Sequence, residues 1–183
     1  MAAPQEIIDF WLSHGPEAWF SANAELDRQI AEKYADLHID ACKRELSTWE
    51  ETPEGSLALL LLLDQFPRNL YRGSAHSYAT DGLARAIARR ALAKGHDRQV
   101  EPILRPFFYL PFEHSEDIED QHKCVRLFEF HRDETGDEET LKWAVVHRDI
   151  IERFGRFPHR NDALGRDTTP EEQAYLDADG FKG

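Results

Sequence analysis

The sequence predicts an all-α fold, with about seven helices stacked as antiparallel hairpins in a single domain spanning residues 1–183. Three observations carry this. Apolar residues recur at three- and four-residue spacing along most of the chain, with no convincing strand-like alternation. Helix punctuation is frequent: Thr52-Pro53 and Thr169-Pro170 pair an N-cap with proline at the first helical position, and Lys94-Gly95 is a helix end. The intervening segments are short, which favours antiparallel neighbours.

In chain order, Pro4 opens a helix carrying Ile7, Ile8, Trp11 and Leu12, which Gly15-Pro16 breaks. A longer helix from Glu25 to Ser47 places Leu26, Ile30, Tyr34, Leu37 and Ala41 on one stripe, with Arg28, Glu32, Asp36 and Asp40 outside. The helix after Thr52-Pro53 contains Leu57 to Leu63, "LALLLLL"; apolar on every side, it belongs at the centre and is expected to stop at Phe66-Pro67. Another helix runs from Tyr78 to Lys94. Pro102, Pro106 and Pro111 break the next stretch into short pieces packed by Phe107, Phe108 and Leu110. Long helices over Glu113 to Asp133 and Glu138 to Phe154 follow, and the capping box Thr169-Pro170-Glu171-Glu172 announces the last.

A net charge of −13 disfavours nucleic acid and anionic membrane surfaces as partners, leaving a small molecule or a peptide. Cys42 and Cys124 fit no metal or CxxC pattern and read as reduced thiols. The N-terminal stretch lacks the basic region of a secretory signal, and the leucine run is far short of the roughly 20 apolar residues of a membrane span. A cytoplasmic location is expected. There is no nucleophile elbow, phosphate-cradling glycine loop or dinucleotide fingerprint, and no cofactor is expected. Glu119 and His122 have the Glu-x-x-His spacing of a di-iron bundle, but no second copy exists.

Two phrases share their letters: "LDQFPRNLYRG", Leu63 to Gly73, and "RFGRFPHRNDALGR", Arg153 to Arg166. On the helix wheel that runs through Ile118, Val125 and Phe128, His114 and Gln121 fall on the same inward face. Its flank holds Glu113, Glu116, Asp117, Glu119 and Asp120, acids that suit a helix N-terminus. In the following helix His147 lies at the edge of a stripe of Trp143, Val146, Ile150 and Phe154, where a core histidine bonded to a carbonyl is the plainer reading. Arg153, Arg156, His159, Arg160 and Arg166 then invert the local charge. Either Arg156 and Arg160 pair with the Glu116/Asp117/Asp120 cluster, or these arginines with His159 and Asn161 line a pocket for an anionic ligand.

The segments "IIDFWL", "LALLLLLDQFPRNLYRG", "AHSYATDGLA", "RPFFYLPFEHSEDIEDQ" and "HRDIIERFGRFPHRNDALGRDTTPEEQAYL" resemble, in order and over nearly the whole chain, the bacterial family known as domain of unknown function 924. The resemblance implies an all-helical fold similar to the tetratricopeptide-repeat superhelix, and supplies no chemistry. The sequence thus leads to one expected pocket, where the two Phe-Pro phrases meet the start of the "EHSEDIEDQ" helix. Asp64, Gln65, Arg68, Asn69, Glu116, Gln121, His147, Arg156, Arg160, Asn161 and Arg166 would bind a small anion, and His114 or His159 with Asp117 or Glu116 would supply acid–base chemistry, with hydrolysis the first reaction to consider. The rival readings are a peptide-binding module with a concave groove and a purely architectural ion-pair junction.

Overall fold

The computed structural model describes residues 3–178 and 180–181, and every regular element among them is helical. In order they are α1 (Pro4–Trp19), α2 (Ala24–Cys42), α3 (Pro53–Leu60), α4 (Phe66–Leu70), α5 (Asp81–Ala93), α6 (Pro106–Glu113), α7 (Ile118–Thr135), α8 (Glu138–Phe154) and α9 (Pro170–Asp177), with 3-10 turns between several of them. A π turn, Leu61–Gln65, joins α3 and α4 into one rod. No helix among the described residues is long and apolar enough to cross a membrane. Packing divides the chain into two compact units, Met1–Arg72 with His76–Pro111, and Gly73–Ala75 with Phe112–Gly183.

Unit 1 is built around the leucine rod. Thr52 Oγ1 caps α3 by accepting from the Gly55 amide at 3.0 Å, and all residues from Gly55 to Pro67 are buried. α1 and α5 pack on α3, and α2 packs on α4. At Gly15 the backbone takes φ 73°, which a side chain would oppose, and α1 folds back there. The bend sets Trp19 parallel to Trp11 at 5.8 Å and lets Trp19 Nε1 donate to Trp11 O at 2.8 Å. Phe66 and Phe107 close this aromatic centre, 5.6 Å and 5.8 Å from Trp11.

The rod does not stop at Phe66-Pro67, as the sequence suggested; it continues through Pro67 to Leu70. Proline has no N–H to give the ladder, and in an α-helix its ring would press on the carbonyl four residues back, that of Leu63. The helix widens instead: the Phe66 amide reaches back five residues to Leu61 O. The next carbonyls are satisfied by side chains. His38 Nδ1 bonds Leu62 O at 2.8 Å, Thr80 Oγ1 donates to Leu63 O at 2.6 Å, and the Arg68 guanidinium donates to Asp64 O. Burial lowers the pKa of His38, against the opposing pull of the Leu62 bond, so the ring serves as a neutral donor.

Unit 2 contains the α7–α8 hairpin. Asp117 caps α7 by accepting from the Glu119 amide at 2.9 Å, and Asp137 caps α8 through the Glu139 and Thr140 amides at 3.1 and 3.2 Å. Because Asp117 is the cap, α7 begins at Ile118, and His114 lies in the connection after α6 rather than on the α7 face where the wheel put it. On α8 the buried residues are Ala144, His147, Ile150 and Ile151. Trp143 is turned outward, 41% exposed, with its indole nitrogen 3.4 Å from Glu139 Oε1, so His147 sits on the core face rather than at its edge. Ile150, Ile151 and Phe157 form one core cluster, flanked by Ile118, Val146, Phe154 and Tyr175.

Replacing His38 by alanine should leave the Leu62 carbonyl buried without its donor and cost about 1–3 kcal/mol in urea unfolding. A change of only a few tenths of a kcal/mol would show that the π turn does not depend on this bond.

Candidate functional site

In unit 2, the phrase from Arg153 to Arg166 folds Arg153, Arg156 and Arg166 onto carboxylates. α8 ends at Gly155, where φ is 68°, and Phe157 is extended before the 3-10 turn Pro158–Arg160. That turn and the bond from the Arg166 amide to Asn161 O, 2.8 Å, bring Arg166 back beside Phe157. Its Nη1 and Nη2 grip Glu116 Oε2 and Oε1 at 2.8 and 3.0 Å, its Nη2 also donates to Phe157 O at 3.0 Å, and its Nε donates to Asn161 Oδ1 at 3.0 Å. Glu116 Oε1 additionally accepts from the Phe157 amide at 2.8 Å. Burial opposes the Glu116 charge, but Arg166 and the Phe157 amide outweigh it, and its pKa is lowered.

Arg156 serves a second carboxylate. Its Nε and Nη2 meet Glu172 Oε1 and Oε2 at 2.6 and 2.8 Å, and Nη2 also donates to Asp167 O at 2.8 Å. Glu172 Oε2 takes the Thr169 amide at 2.8 Å and Asn161 Nδ2 at 3.2 Å, while the Glu172 amide donates to Thr169 Oγ1 at 3.2 Å. The capping box is therefore formed and its glutamate doubles as an arginine partner. Arg156, helped by Thr169, holds the Glu172 carboxyl down to about 2. Asn161, 1% exposed, joins the two pairs by accepting from Arg166 and donating to Glu172.

The expected pairing of Arg156 and Arg160 with the Glu116/Asp117/Asp120 cluster takes a different form. Glu116 is held by Arg166, Asp117 caps α7, and Asp120 Oδ2 accepts from Ser115 Oγ at 2.9 Å. Arg160 Nη1 donates to His114 O at 3.0 Å, and its guanidinium lies 4.4 Å from the Phe157 ring centre. Gln121 points inward, as the wheel indicated: it is fully buried, and its Nε2 lies 2.6 Å from Glu113 O and 2.7 Å from Ser115 O, fastening the connection between α6 and α7.

Two histidines frame Phe157. His147 Nδ1 donates to Trp143 O at 2.8 Å and lies 3.5 Å from Glu113 Oε1, with its ring 5.5 Å from Phe157 and 4.5 Å from Phe181. The His159 ring is 5.6 Å from Phe157 and 5.1 Å from Phe181. Its Nδ1 is buried without a hydrogen-bond partner among the described residues. Burial, then the charge of Arg160 and the nearness of His147, lowers the His159 pKa to about 3.

The candidates from the first phrase lie in unit 1. Arg68 Nη1 and Nη2 meet Asp81 Oδ1 and Oδ2 at 3.1 Å each, and Asp64 Oδ1 is 3.6 Å from Nη1. Burial works against the Arg68 charge, but Asp64 and Asp81 outweigh it and the pKa is raised. Gln65 Nε2 donates to Asp64 Oδ2 at 2.5 Å, and Asn69 Nδ2 donates to Asp27 Oδ1 at 2.7 Å. His122 of the Glu-x-x-His pair lies 3.4 Å from Glu152, and no group of three or more metal-binding side chains occurs among the described residues. Sequence reasoning passed over Asp81 and Phe181, and took Glu113 only as one of the acids at a helix start. It used Glu172 only as a cap, although it lies only 16 residues after Arg156.

The model of a family described as bacterial protein of unknown function, DUF924, matches residues 7–180. A solved structure of the protein of unknown function ATU0120 from Agrobacterium tumefaciens is similar at a TM-score of 0.90 and 50% sequence identity, covering 96% of this chain and 97% of that one. No curated relative matches.

Two outcomes follow for stability. Arg166→Ala removes the partner of a half-buried carboxylate and should cost roughly 1–3 kcal/mol in denaturant unfolding. His159 stays neutral in the folded chain down to about 3, whereas an unfolded histidine titrates near ~6.5. Over that window the unfolded chain binds more protons, so stability present above about pH 6.5 is lost as pH falls, by up to ~1.4 kcal/mol per pH unit for this ring. His159→Phe should flatten the decline between about pH 6.5 and 5, where Glu116 and Glu172 remain ionised; an unchanged slope would place the titration elsewhere.

Proposed function

The chain belongs to the DUF924 family of bacterial proteins, and from that premise we propose that it binds a small anionic molecule at the histidine–arginine wall of unit 2. The site comprises His159, His147, His114 and Arg160 around Phe157. The observation that carries this reading is His159 Nδ1, buried without a hydrogen-bond partner beside an arginine. A buried polar nitrogen left in this state costs about 1–3 kcal/mol, which a guest oxygen accepting its proton would recover. Phe181, whose ring packs on both His147 and His159, is the wall that a guest would displace.

Arg156, Arg166, Glu116, Glu172 and Asn161 act in this reading as the frame. Their donors and acceptors are engaged with one another, which supports the architectural role for these five and confines ligand binding to the histidines and Arg160. Hydrolysis through a His159–Glu116 pair is the weaker reading. Both Glu116 oxygens already accept hydrogen bonds, and a ring whose pKa is about 3 is a poor base near neutrality. Cys42 and Cys124 are both free, which supports a reducing, cytoplasmic setting.

The test is a thermal-shift screen of carboxylates and phosphate esters against the wild type and His159→Phe. A ligand at 100 times its dissociation constant adds about 2.7 kcal/mol. A binding anion should raise the wild-type melting temperature and fail to raise that of His159→Phe. An equal rise in both, or no rise with any anion in the wild type, would overturn the assignment.

A further inference from the structure

The histidine–arginine wall of unit 2 already holds an aromatic ring of this chain. The Phe181 ring centre lies 4.5 Å from that of His147, 5.1 Å from that of His159 and 5.9 Å from that of Trp143, and it meets both histidines edge to face. Three rings thus make a seat for a fourth, at separations where aromatic pairs attract. The seat opens to solvent on one side: Trp143 is 41% exposed and Phe181 is itself only partly buried.

Phe181 fills this seat and leaves its polar side unserved. A phenyl ring carries no oxygen or nitrogen, and His159 Nδ1 stays buried without a hydrogen-bond partner among the described residues. Beside His159 is the buried Arg160, whose guanidinium lies over Phe157 and whose charge opposes protonation of the His159 ring. The seat therefore combines apolar surface for a ring with a donor and a positive charge at its edge. A bare anion leaves the ring surface uncovered, and a neutral arene leaves Nδ1 unpaired. A ring bearing a carboxylate meets both demands.

The attachment of Phe181 is local. The Gly180 amide donates to Tyr175 O at 3.0 Å, and the Phe181 amide donates to the Tyr175 hydroxyl at 3.0 Å. Gly180 passes so close to Tyr175 that a Cβ there would stand 2.5 Å from Tyr175 O and 2.6 Å from Cε1. Glycine at this position is what lets the ring reach its seat. Both bonds go to one residue, and the Arg156–Glu172 and Arg166–Glu116 pairs involve neither Gly180 nor Phe181, so the ring can leave without breaking the frame.

We propose that the guest of this site is an aromatic carboxylate of the arylacetate type, its ring in the seat of Phe181 and its carboxylate on His159 Nδ1 beside Arg160. The proposal rests on the anion reading of unit 2 and adds the ring to it.

The experiment is a backbone-amide NMR titration of the full chain with phenylacetate, acetate and 2-phenylethanol, repeated in Phe181→Ala and Gly180→Ala. Phenylacetate should give saturable shifts centred on Trp143, His147, His159 and Phe181, with acetate and 2-phenylethanol each weaker by about tenfold. Both variants should bind phenylacetate about tenfold more tightly, Phe181→Ala because the competing ring is gone and Gly180→Ala because the added Cβ displaces it. The comparison of the three ligands in the wild type needs neither variant to fold. Acetate as tight as phenylacetate at these residues, or acetate binding without phenylacetate, would overturn the aromatic inference and leave the anion reading standing. 2-Phenylethanol as tight as phenylacetate, or no saturable shift with either anion, would overturn both. Shifts centred on other residues, or no tightening in a folded variant, would overturn the assignment of the guest ring to the Phe181 seat.

Discussion

A buried carbonyl or carboxylate without a donor costs on the order of 1–3 kcal/mol, a sizeable part of the stability of any domain, and both units are arranged around meeting that demand. In unit 1 the demand originates with Pro67, which removes an N–H from the middle of a fully buried helix. The chain answers with a wider turn and with His38, Thr80 and Arg68 as substitute donors. Because those donors come from α2, from the residue before α5, and from α4 itself, meeting the demand also fixes how the helices surround the rod. In unit 2 the demand originates with Glu116 and Glu172, two carboxylates drawn toward the base of α8. Arg166, Arg156, Asn161 and the Phe157 and Thr169 amides converge on them.

The two Phe-Pro phrases show what identical letters leave undecided. In both, the phenylalanine is fully buried and the proline removes a donor. At Phe157-Pro158 the helix has already ended at Gly155, so the proline opens a 3-10 turn without further cost. At Phe66-Pro67 the helix persists because outside donors give hydrogen bonds to the orphaned carbonyls. Those donors lie 24 and 17 residues from the carbonyls they serve, at His38 and Thr80, beyond the reach of any local rule. Proline as a helix stop is a statement about local hydrogen bonding, and here tertiary packing overrides it.

The same division governs the candidate site. Helical class, the caps at Thr52 and Thr169, the central position of the leucine run and the inward face of Gln121 were legible, because each depends on spacing within one element. His114 was misplaced because Asp117 starts a new helix between it and Gln121, and Trp143 was misplaced because its indole turns outward to Glu139. The opposition of acids and arginines was legible as chemistry but not as pairing. Which arginine reaches Glu116 depends on the turn after Pro158, where the Arg166 amide bonds Asn161 and swings the side chain back. Arg156, nearer in sequence to α8, is drawn to Glu172 of α9 instead.

The electrostatics of His159 tie the frame to the proposed binding site. Burial and the charge of Arg160 suppress a second positive charge, so the ring is neutral and its orphaned Nδ1 costs stability. An anion seated against the ring reverses the balance: it supplies a hydrogen-bond partner and the negative charge that makes protonation favourable. By linkage, whatever raises the affinity of the ring for a proton when an anion is bound must also raise the affinity for the anion as pH falls. Glu116 supplies only part of that charge, and Arg166 and the Phe157 amide hold its two oxygens. Burial and the charge of Arg160 outweigh the pull of Glu116, and the ring stays neutral until a guest arrives.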